Sequence, residues 1–249
     1  MNLVLDLGNT QGKLALFNGP ELLELTRLQP ADLFKGVQSA LQEHQGIKAA
    51  IISSVVNHPE QLEAVLAQHC ALTVLNPSTP LPITNSYATP ATLGRDRLAA
   101  AVAAHTRWPG QNVLSIDAGT CITFDLLTSD GSYQGGAISP GIAMRFKALH
   151  TFTEHLPLIP GVPQNSGTQL VGTTTEQSIQ SGVLNGVAAE VQGIVDVYRA
   201  QYKGLNVVLT GGDLPFFEKA LKNPIFAAPN LVLEGLNSIL SFNDRKDHS

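Results

Sequence analysis

The stretch LVLDLGNTQGKLALFNG, residues 3–19, sets an Asp-x-Gly turn between two apolar runs. Leu3–Leu7 is predicted as a buried strand, and Lys13–Phe17 as a second strand that returns beside it. Asn18-Gly19 is a strong hairpin signal, so a third strand is expected over Glu21–Arg27. The chain is therefore predicted to open with an antiparallel meander.

The same pattern returns in the middle of the chain as VLSIDAGTCITFDLLTSDGSYQGG, which starts at Val113. Asp117 and Gly119 stand 111 positions after Asp6 and Gly8. An internal duplication of a strand-turn-strand unit indicates two related halves with a cleft between them. We expect the two halves to be residues 1–110 and residues 111–249.

Helices and further strands are predicted between and after the two meanders, which favours an α/β fold of mixed sheets flanked by helices. Apolar spacing predicts helices over 30–45, 58–69, 97–107, 143–152 and 175–202. Strands are predicted over 49–55, 72–75 and 205–210, and Leu231-Val232-Leu233 is predicted as a last strand before a terminal helix. The segment 76–94 is too rich in Pro, Ser and Thr for regular structure, and a loop of this length is expected to be either functional or disordered.

Composition excludes several classes of protein. The chain is 43% hydrophobic and 14% charged, which indicates a compact globular protein rather than a disordered one. Its net charge is -5 and it has no long cluster of Lys and Arg, so nucleic acid is not an expected partner. No apolar run reaches the length of a membrane span. Cys70 and Cys121 form no CxxC pair, and a reducing, cytoplasmic location is expected.

The turn at Gly8–Lys13 differs from a P-loop, because only three residues separate its glycines and Leu14 follows the lysine. A hairpin turn can still bind phosphate oxygens with backbone N–H groups, hydroxyls and the lysine. Asp6 would then orient Mg²⁺ through water. The alternative is that Asp6, Asn9 and Thr10 only form an Asx-type turn.

Two further motifs carry candidate chemistry. Thr210-Gly211-Gly212-Asp213 ends a predicted strand, and its glycines would let the backbone approach a flat ligand such as a nucleoside; the alternative is a simple turn with Asp213 as the cap of a helix. Gly94-Arg95-Asp96-Arg97 sets a carboxylate between two guanidinium groups, which suits an anionic substrate. The alternative there is a charged helix start with solvated arginines.

Taken in order, these motifs resemble those of the type III pantothenate kinases, members of the acetate and sugar kinase, Hsp70 and actin superfamily. The matching segments are DLGNTQGK, YATPATLGRDR, DAGTCITFD, GGAISPG, TTTEQSIQSG and TGGD, which extend from near the start of the chain to about Gly212. Cys121 stands where many relatives have a small residue. The resemblance implies two duplicated ribonuclease-H-like halves with ATP bound in the cleft.

The resemblance also implies an activity: ATP-dependent phosphorylation of pantothenate to 4'-phosphopantothenate, the first step of coenzyme A biosynthesis. Asp96 would be the catalytic base. The implied substrate-binding residues are Tyr87, Gly94, Arg95, Asp96, Arg97 and Thr175. The implied ATP-binding residues are Asp6, Leu7, Gly8, Asn9, Thr10, Gln11, Gly12, Lys13 and Thr120. Asp117 would help to bind a monovalent cation, K⁺ or NH₄⁺, and Mg²⁺ would accompany ATP. Another kinase of the same fold and a non-catalytic regulatory relative are the competing functions.

A homodimer with the substrate pocket near its interface is the expected assembly. The run Leu98–Ala104 surrounds most of a predicted helix with small apolar residues, which permits close approach of a second helix. The resemblance implies a dimer as well. In the alternative, the same alanines pack inside one subunit, between its halves.

Overall fold

The structure, a computed structural model, describes residues 1–8, 11–54, 56, 59–162, 169–222 and 225–246. Its strands form one sheet of five strands and one of six. The strands are β1 (Asn2–Leu7), β2 (Gly12–Asn18), β3 (Glu21–Leu28), β4 (Ala49–Ser54), β5 (Ala71–Val74), β6 (Thr84–Asn85), β7 (Val113–Ala118), β8 (Cys121–Leu127), β9 (Ser132–Pro140), β10 (Asn206–Thr210) and β11 (Phe226–Ala227).

The two sheets repeat one strand order. The first is β3-β2-β1-β4-β5, and the second contains β9-β8-β7-β10-β11, with β6 added beyond β9. In both sheets the Asp-x-Gly strand, β1 or β7, pairs antiparallel with the strand that follows it and parallel with a later one, β4 or β10. Both sheets are therefore mixed, and the duplication seen in the sequence is also one of topology.

Seven α-helices accompany the sheets in the described part of the chain. They are α1 (Leu33–Glu43), α2 (Glu60–His69), α3 (Arg95–Arg107), α4 (Ile142–Thr151), α5 (Thr175–Gln201), α6 (Leu214–Ala220) and α7 (Leu231–Lys246). These bounds agree with most of the predicted helices to within a few residues. In the described residues, no helix is long and apolar enough to cross a membrane.

The chain divides into two compact units, and each has its own core. The first comprises residues 1–109, 131–133 and 230–249, and the second residues 110–130 and 134–229. In the first core, Leu3 and Leu5 of β1 are buried with Val37 of α1 and Leu62 of α2. In the second, β7 and β8 pack with the apolar side of α5. Each fully buried Leu or Val contributes about 1.5–3 kcal/mol relative to an exposed one.

The predicted last strand at Leu231–Leu233 is wrong, because these residues form the first turn of α7. A short apolar run fits a strand or a buried helix equally well. Here Leu236 and Ile239, which lie on the same side of the helix, are also buried, so the run continues with helical spacing. The last strand is instead Phe226–Ala227.

The segment 76–94 holds more regular structure than its composition predicts. Thr84–Asn85 forms β6, which pairs in parallel with Ser132 and Tyr133 at the start of β9. Pro90–Thr92 forms a turn of 3₁₀ helix just before α3. A two-residue strand has no periodicity to read in a sequence, because its hydrogen bonds go to a partner far along the chain.

The alanine-rich helix α3 is packed inside the chain. The expectation that its small residues contact a helix of a second subunit is therefore wrong. All residues from Leu98 to Ala104 are buried within the single chain. The neighbour is α7, and a Cβ built on Gly235 of α7 would lie 1.8 Å from the carbonyl oxygen of Ala99. The small residues therefore serve a close helix–helix contact within the first compact unit, and they offer no face to a second subunit.

Candidate functional site

The first candidate group lies at the end of β1. Asp6 pairs in register with Lys13 of β2, and the lysine Nζ lies 3.7 Å from the aspartate Oδ2. Burial raises the pKa of Asp6, the Lys13 ammonium opposes that shift, and the nearby Asp96 carboxylate adds to it. The folded chain thus brings Asp6, Lys13 and Asp96 into one electrostatic cluster, although the last two are 83 positions apart in the sequence.

The turn between β1 and β2 is only partly described. Asn9 and Thr10, two of its predicted ATP-binding residues, lie outside the described residues. The Gly8 N–H donates to the carbonyl oxygen of Gln11 at 3.2 Å. Leu7 is buried and pairs with Gly12 as the last rung of the hairpin. The described ends of the loop are therefore fixed by the β1–β2 ladder.

The GRDR motif forms the first turn of α3. Gly94 is the N-cap, and a Cβ there would lie 2.6 Å from Asp96 Oδ1, so only glycine leaves room for this aspartate conformation. Asp96 Oδ1 accepts a hydrogen bond from the Arg97 N–H at 2.9 Å. Arg95 Nη1 donates to the carbonyl oxygen of Ser54 at 2.8 Å, which ties α3 to the end of β4. The carboxylate is thus held at a positive helix end.

Arg97 is packed into the protein instead of extending into solvent. It is 6% exposed, and its guanidinium carbon lies 5.8 Å from the centre of the Tyr87 ring, within cation–π range. The alternative of two solvated arginines is therefore wrong for Arg97. Tyr87 in turn packs on the buried ring of Tyr133, with the two ring centres 6.3 Å apart.

Tyr133 also belongs to this site, although no motif in the sequence indicates it. The β6–β9 contact that brings it there includes a hydrogen bond at 2.7 Å between the hydroxyls of Ser86 and Ser132, 46 positions apart. The Ser86 N–H also donates to the carbonyl oxygen of Tyr133 at 3.0 Å. A tyrosine in a strand gives no sequence signal that it will pack on Tyr87, because only the fold brings the two rings together.

The second candidate group lies in the other compact unit, at the end of β7. Asp117 pairs in register with Thr123 of β8 and with Thr210 of β10. After Asp117 the chain turns tightly, and the Gly119 N–H donates to the carbonyl oxygen of Cys121 at 2.9 Å. Thr120, at the tip of this turn, is exposed. The hydroxyls and the carboxylate of this rung are all oxygen ligands of the kind that hard cations prefer.

Two glycines allow other segments to press on this turn. A Cβ on Gly141, from the GGAISPG motif, would lie 2.1 Å from the carbonyl oxygen of Gly119. Gly211, from the TGGD motif, has φ +97°, and a Cβ there would lie 2.2 Å from the carbonyl oxygen of Ala118. Three motifs that are distant in the sequence therefore meet backbone against backbone.

Asp213 links the same segments. Its N–H donates to the carbonyl oxygen of Ala118 at 2.9 Å, and its carboxylate accepts a hydrogen bond from the backbone N–H of Ile142. Burial raises the pKa of Asp213, and the Ile142 hydrogen bond opposes that shift. Asp213 is the N-cap residue of α6, but its side chain makes no cap bond there. It contacts the N-terminus of α4 instead of its own helix, which differs from the predicted cap.

The described candidate residues thus form two groups, each within one compact unit. The first contains Asp6, Leu7, Gly8, Gln11, Gly12, Lys13, Tyr87, Gly94, Arg95, Asp96 and Arg97. The second contains Asp117 and Thr120. Thr175 belongs to the second unit as well, but it is an exposed residue at the start of α5, which Thr174 caps by accepting the N–H of Gln177.

The raised pKa of Asp6 predicts a gain in stability when this carboxylate is removed. Because folding makes Asp6 harder to ionise, the folded state binds its proton more tightly, and stability falls as pH rises from the unfolded pKa through the folded one. We expect Asp6→Asn to exceed the wild type in free energy of unfolding at pH 7, with the difference shrinking toward zero near pH 4. Urea denaturation across this range measures it.

The matched control is Glu21→Gln, which removes an exposed carboxylate from β3. It should change the free energy of unfolding little at any pH, because an exposed group is well solvated in both states. An Asp6→Asn protein that is less stable than the wild type at pH 7 would show that the Lys13 contact outweighs the burial of Asp6.

Comparison with known proteins gives a consistent result. Residues 2–197 match the family described as type III pantothenate kinase. A type III pantothenate kinase from Christiangramia forsetii is 46% identical over 243 residues, covering 98% of this chain and 99% of the relative. One from Phocaeicola vulgatus is 44% identical over 249 residues, covering 98% of this chain and 100% of the relative.

A solved structure supports the fold. The activator of 2-hydroxyisocaproyl-CoA dehydratase from Clostridium difficile, with bound ADPNP, aligns with a TM-score of 0.59 at 13% identity. The alignment covers 99% of this chain and 96% of that chain. At this identity the likeness concerns architecture alone, and it agrees with an α/β fold built from two ribonuclease-H-like sheets.

Proposed function

Because this chain belongs to the type III pantothenate kinase family, we propose that it transfers the γ-phosphate of ATP to the primary hydroxyl of pantothenate. The product is 4'-phosphopantothenate, the first intermediate of coenzyme A biosynthesis. The observation that carries the proposal is the cluster of Asp96, Asp6 and Lys13, which joins the GRDR motif to the first Asp-x-Gly hairpin. A kinase needs these two elements, a base for the acceptor alcohol and a phosphate loop, to be adjacent.

Asp96 is the proposed base. Its Oδ1 is held by the Arg97 N–H, so the carboxylate keeps one orientation at the start of α3. Phosphoryl transfer passes through a loose transition state, in which positioning and charge neutralisation do most of the work. An oriented carboxylate that accepts the hydroxyl proton of pantothenate as the oxygen attacks phosphorus fits that requirement.

Substrate binding is assigned to Tyr87, Gly94, Arg95, Asp96, Arg97 and Thr175. Arg95 uses one N–H on the Ser54 carbonyl, and a guanidinium has five N–H donors, so others remain for a carboxylate. Arg97 is already fixed over Tyr87, which lowers the side-chain entropy lost on binding. Both features suit the single carboxylate of pantothenate.

Nucleotide binding is assigned to the hairpin turn from Asp6 to Lys13 and to Thr120. In the described residues, no three His, Cys, Asp or Glu side chains cluster closely enough to hold a metal ion by themselves. The single carboxylate of Asp6 beside a phosphate-binding turn fits Mg²⁺, which keeps most of its waters and binds through phosphates and one or two carboxylates. We assign Mg²⁺ to Asp6 through water; when bound, the ion would neutralise charge on the phosphates.

A monovalent cation, K⁺ or NH₄⁺, is proposed at Asp117. Thr123 and Thr210, the residues paired with Asp117 on the two neighbouring strands, carry hydroxyls, and the adjoining turn at Ala118 and Gly119 offers carbonyl oxygens. This all-oxygen environment fits a hard cation of low charge.

One assay tests the function and both ions. Purified protein with ATP, Mg²⁺, K⁺ and pantothenate should give ADP and 4'-phosphopantothenate, identified by mass spectrometry. Turnover should be lost with a chelator of Mg²⁺ and should fall when a large organic cation replaces K⁺, and Asp117→Asn should weaken the response to K⁺. Phosphorylation of glucose in place of pantothenate would assign the protein to another kinase activity of this fold.

The assembly is proposed to be a homodimer, with the substrate pocket near the interface, on the basis of the family resemblance. Since the alanines of α3 are covered by α7, the contact must use another surface. Light scattering at assay concentrations gives the molar mass, and an active monomer would contradict the dimer. A cytoplasmic location is also proposed, because Cys70 and Cys121 are free thiols.

The domain division is proposed as residues 1–110 and 111–249, related by duplication. The repeated strand order supports it. The terminal helix α7 belongs to the second half by sequence but packs with the first compact unit.

A further inference from the structure

A row of three polar residues crosses the first sheet at the end of β1. Lys13, Asp6 and Ser53 are paired in register on β2, β1 and β4. Residues paired directly across neighbouring strands point to the same face of a sheet. Ser53 therefore stands beside the Asp6 carboxylate, on the side away from Lys13.

Ser53 is buried without a described partner. It is 1% exposed, and its hydroxyl makes no hydrogen bond to any part of the chain that the structure describes. Leaving a buried hydroxyl unsatisfied costs about 1–3 kcal/mol, so such groups in proteins are usually bonded to the chain or to an ordered water.

The second sheet has a buried hydroxyl residue at the corresponding position. Asp117 is paired in register with Thr210 on β10, the strand that corresponds to β4, and Thr210 is 2% exposed. Each Asp-x-Gly strand thus has a buried hydroxyl residue beside its aspartate on the adjoining parallel strand. One such pair can arise by chance in packing, whereas a matching pair at the equivalent position of the duplicate points to a shared role.

Ordinary strand geometry is compatible with a water between the two side chains. The backbones of neighbouring strands lie about 4.8 Å apart. One water with a hydrogen bond of about 2.8 Å on each side can bridge side-chain groups whose separation is similar to that spacing. The structure has no direct hydrogen bond between Ser53 and Asp6, which is what a bridged pair requires.

We propose that Ser53 is a positioning residue whose hydroxyl holds a water against the Asp6 carboxylate, and that Asp6 reaches its divalent cation through this water. The inference rests on the proposed function, because it concerns the same metal-bound nucleotide. The hydroxyl acts on Asp6 and its water only, and it does not contact the reacting atoms.

Three variants test the role. Ser53→Ala removes the hydroxyl, and Ser53→Thr keeps it in the form that the second sheet uses at Thr210. Ser115→Ala is the matched control, because Ser115 is 2% exposed and its hydroxyl also has no hydrogen-bond partner among the described residues, but it lies two residues before the aspartate of β7. Circular dichroism confirms that each variant is folded.

The first measurement is the Mg²⁺ concentration that gives half-maximal turnover. One lost hydrogen bond is worth about 0.5–1.5 kcal/mol, so Ser53→Ala should raise this concentration by about 2- to 10-fold. Its kcat at saturating Mg²⁺ should stay near that of the wild type. Ser53→Thr should restore the wild-type requirement, and Ser115→Ala should not change it.

The second measurement does not depend on activity. Carbon-13 NMR of the Asp6 carboxylate follows its titration, and Ser53→Ala should raise the pKa of Asp6 further, because a hydrogen bond to the charged form is lost. A high-resolution crystal structure of the wild type should contain a water within hydrogen-bond distance of both Ser53 Oγ and the Asp6 carboxylate.

The outcomes separate this inference from the function. An active wild type whose crystal lacks the water overturns the inference, as does a Ser53→Ala protein that matches Ser115→Ala in Mg²⁺ requirement and Asp6 titration. A wild type that does not phosphorylate pantothenate overturns the proposed function, while the NMR titration and the crystal water still decide whether Ser53 positions Asp6.

Discussion

Asp96→Asn is expected to lower kcat for pantothenate phosphorylation by about 10²- to 10⁴-fold, the usual contribution of a positioned general base. The amide cannot accept the hydroxyl proton, but its oxygen can still accept the Arg97 N–H that holds this side chain. The first turn of α3 should therefore keep its geometry, and ATP binding should be nearly unchanged. Steady-state kinetics and calorimetric titration with ATP separate the two effects.

The control is Glu60→Gln, which removes an exposed carboxylate from the first turn of α2, as Asp96→Asn removes a carboxylate from the first turn of α3. It should leave kcat unchanged, because a general effect of charge at a helix start is small. A near-normal kcat for Asp96→Asn would remove Asp96 from the catalytic role. Since the Asp96 charge is one cause of the raised pKa of Asp6, the same variant should also lower that pKa.

Gly235→Ala is expected to destabilise the protein by about 3 kcal/mol, at the upper end of the range for an overpacked core. The added Cβ would lie 1.8 Å from the Ala99 carbonyl oxygen, and this neighbour is backbone, which cannot rotate away. The clash must push α7 away from α3, whose first turn carries Asp96. The free energy of unfolding from urea denaturation gives the effect.

Gly193→Ala is the matched control, since it makes the same change in another helix. A Cβ on Gly193 of α5 would have no atom of the described residues within 4 Å, so alanine should stabilise the protein by about 1 kcal/mol through its higher helix propensity. Opposite signs for the two variants would assign the loss at Gly235 to the close helix contact. If both variants stabilise the protein, the α3–α7 packing is looser than the structure indicates.

For the alanine run of α3, the sequence correctly predicts a closely packed helix but not the helix that it contacts. Small apolar residues on all sides predict a helix that is closely packed, and Leu98–Ala104 is buried as expected. That pattern does not show which helix packs against α3. It is α7, about 130 positions further along the chain, and the sequence pattern of its first turn, Leu231–Leu233, predicts a strand instead of a helix.

The sequence by itself determined the duplicated hairpins, the position of their aspartates and the helix that begins at GRDR. These features depend on turn chemistry and apolar spacing, which act between residues close together in the chain. It also determined the family, because the order of the motifs at Asp6, Asp96 and Asp117 is read from the sequence and does not depend on how the chain packs.

Only the tertiary structure decided what each of these groups contacts. Arg97 lies over Tyr87 because β6 pairs with β9, and Asp213 bonds the Ile142 N–H instead of capping its own helix. Ser53 stands beside Asp6 because β4 pairs with β1 in one register. Burial and hydrogen-bond partners are set by contacts between distant segments, whose free energy depends on the whole packed core, and no short window of sequence contains that information.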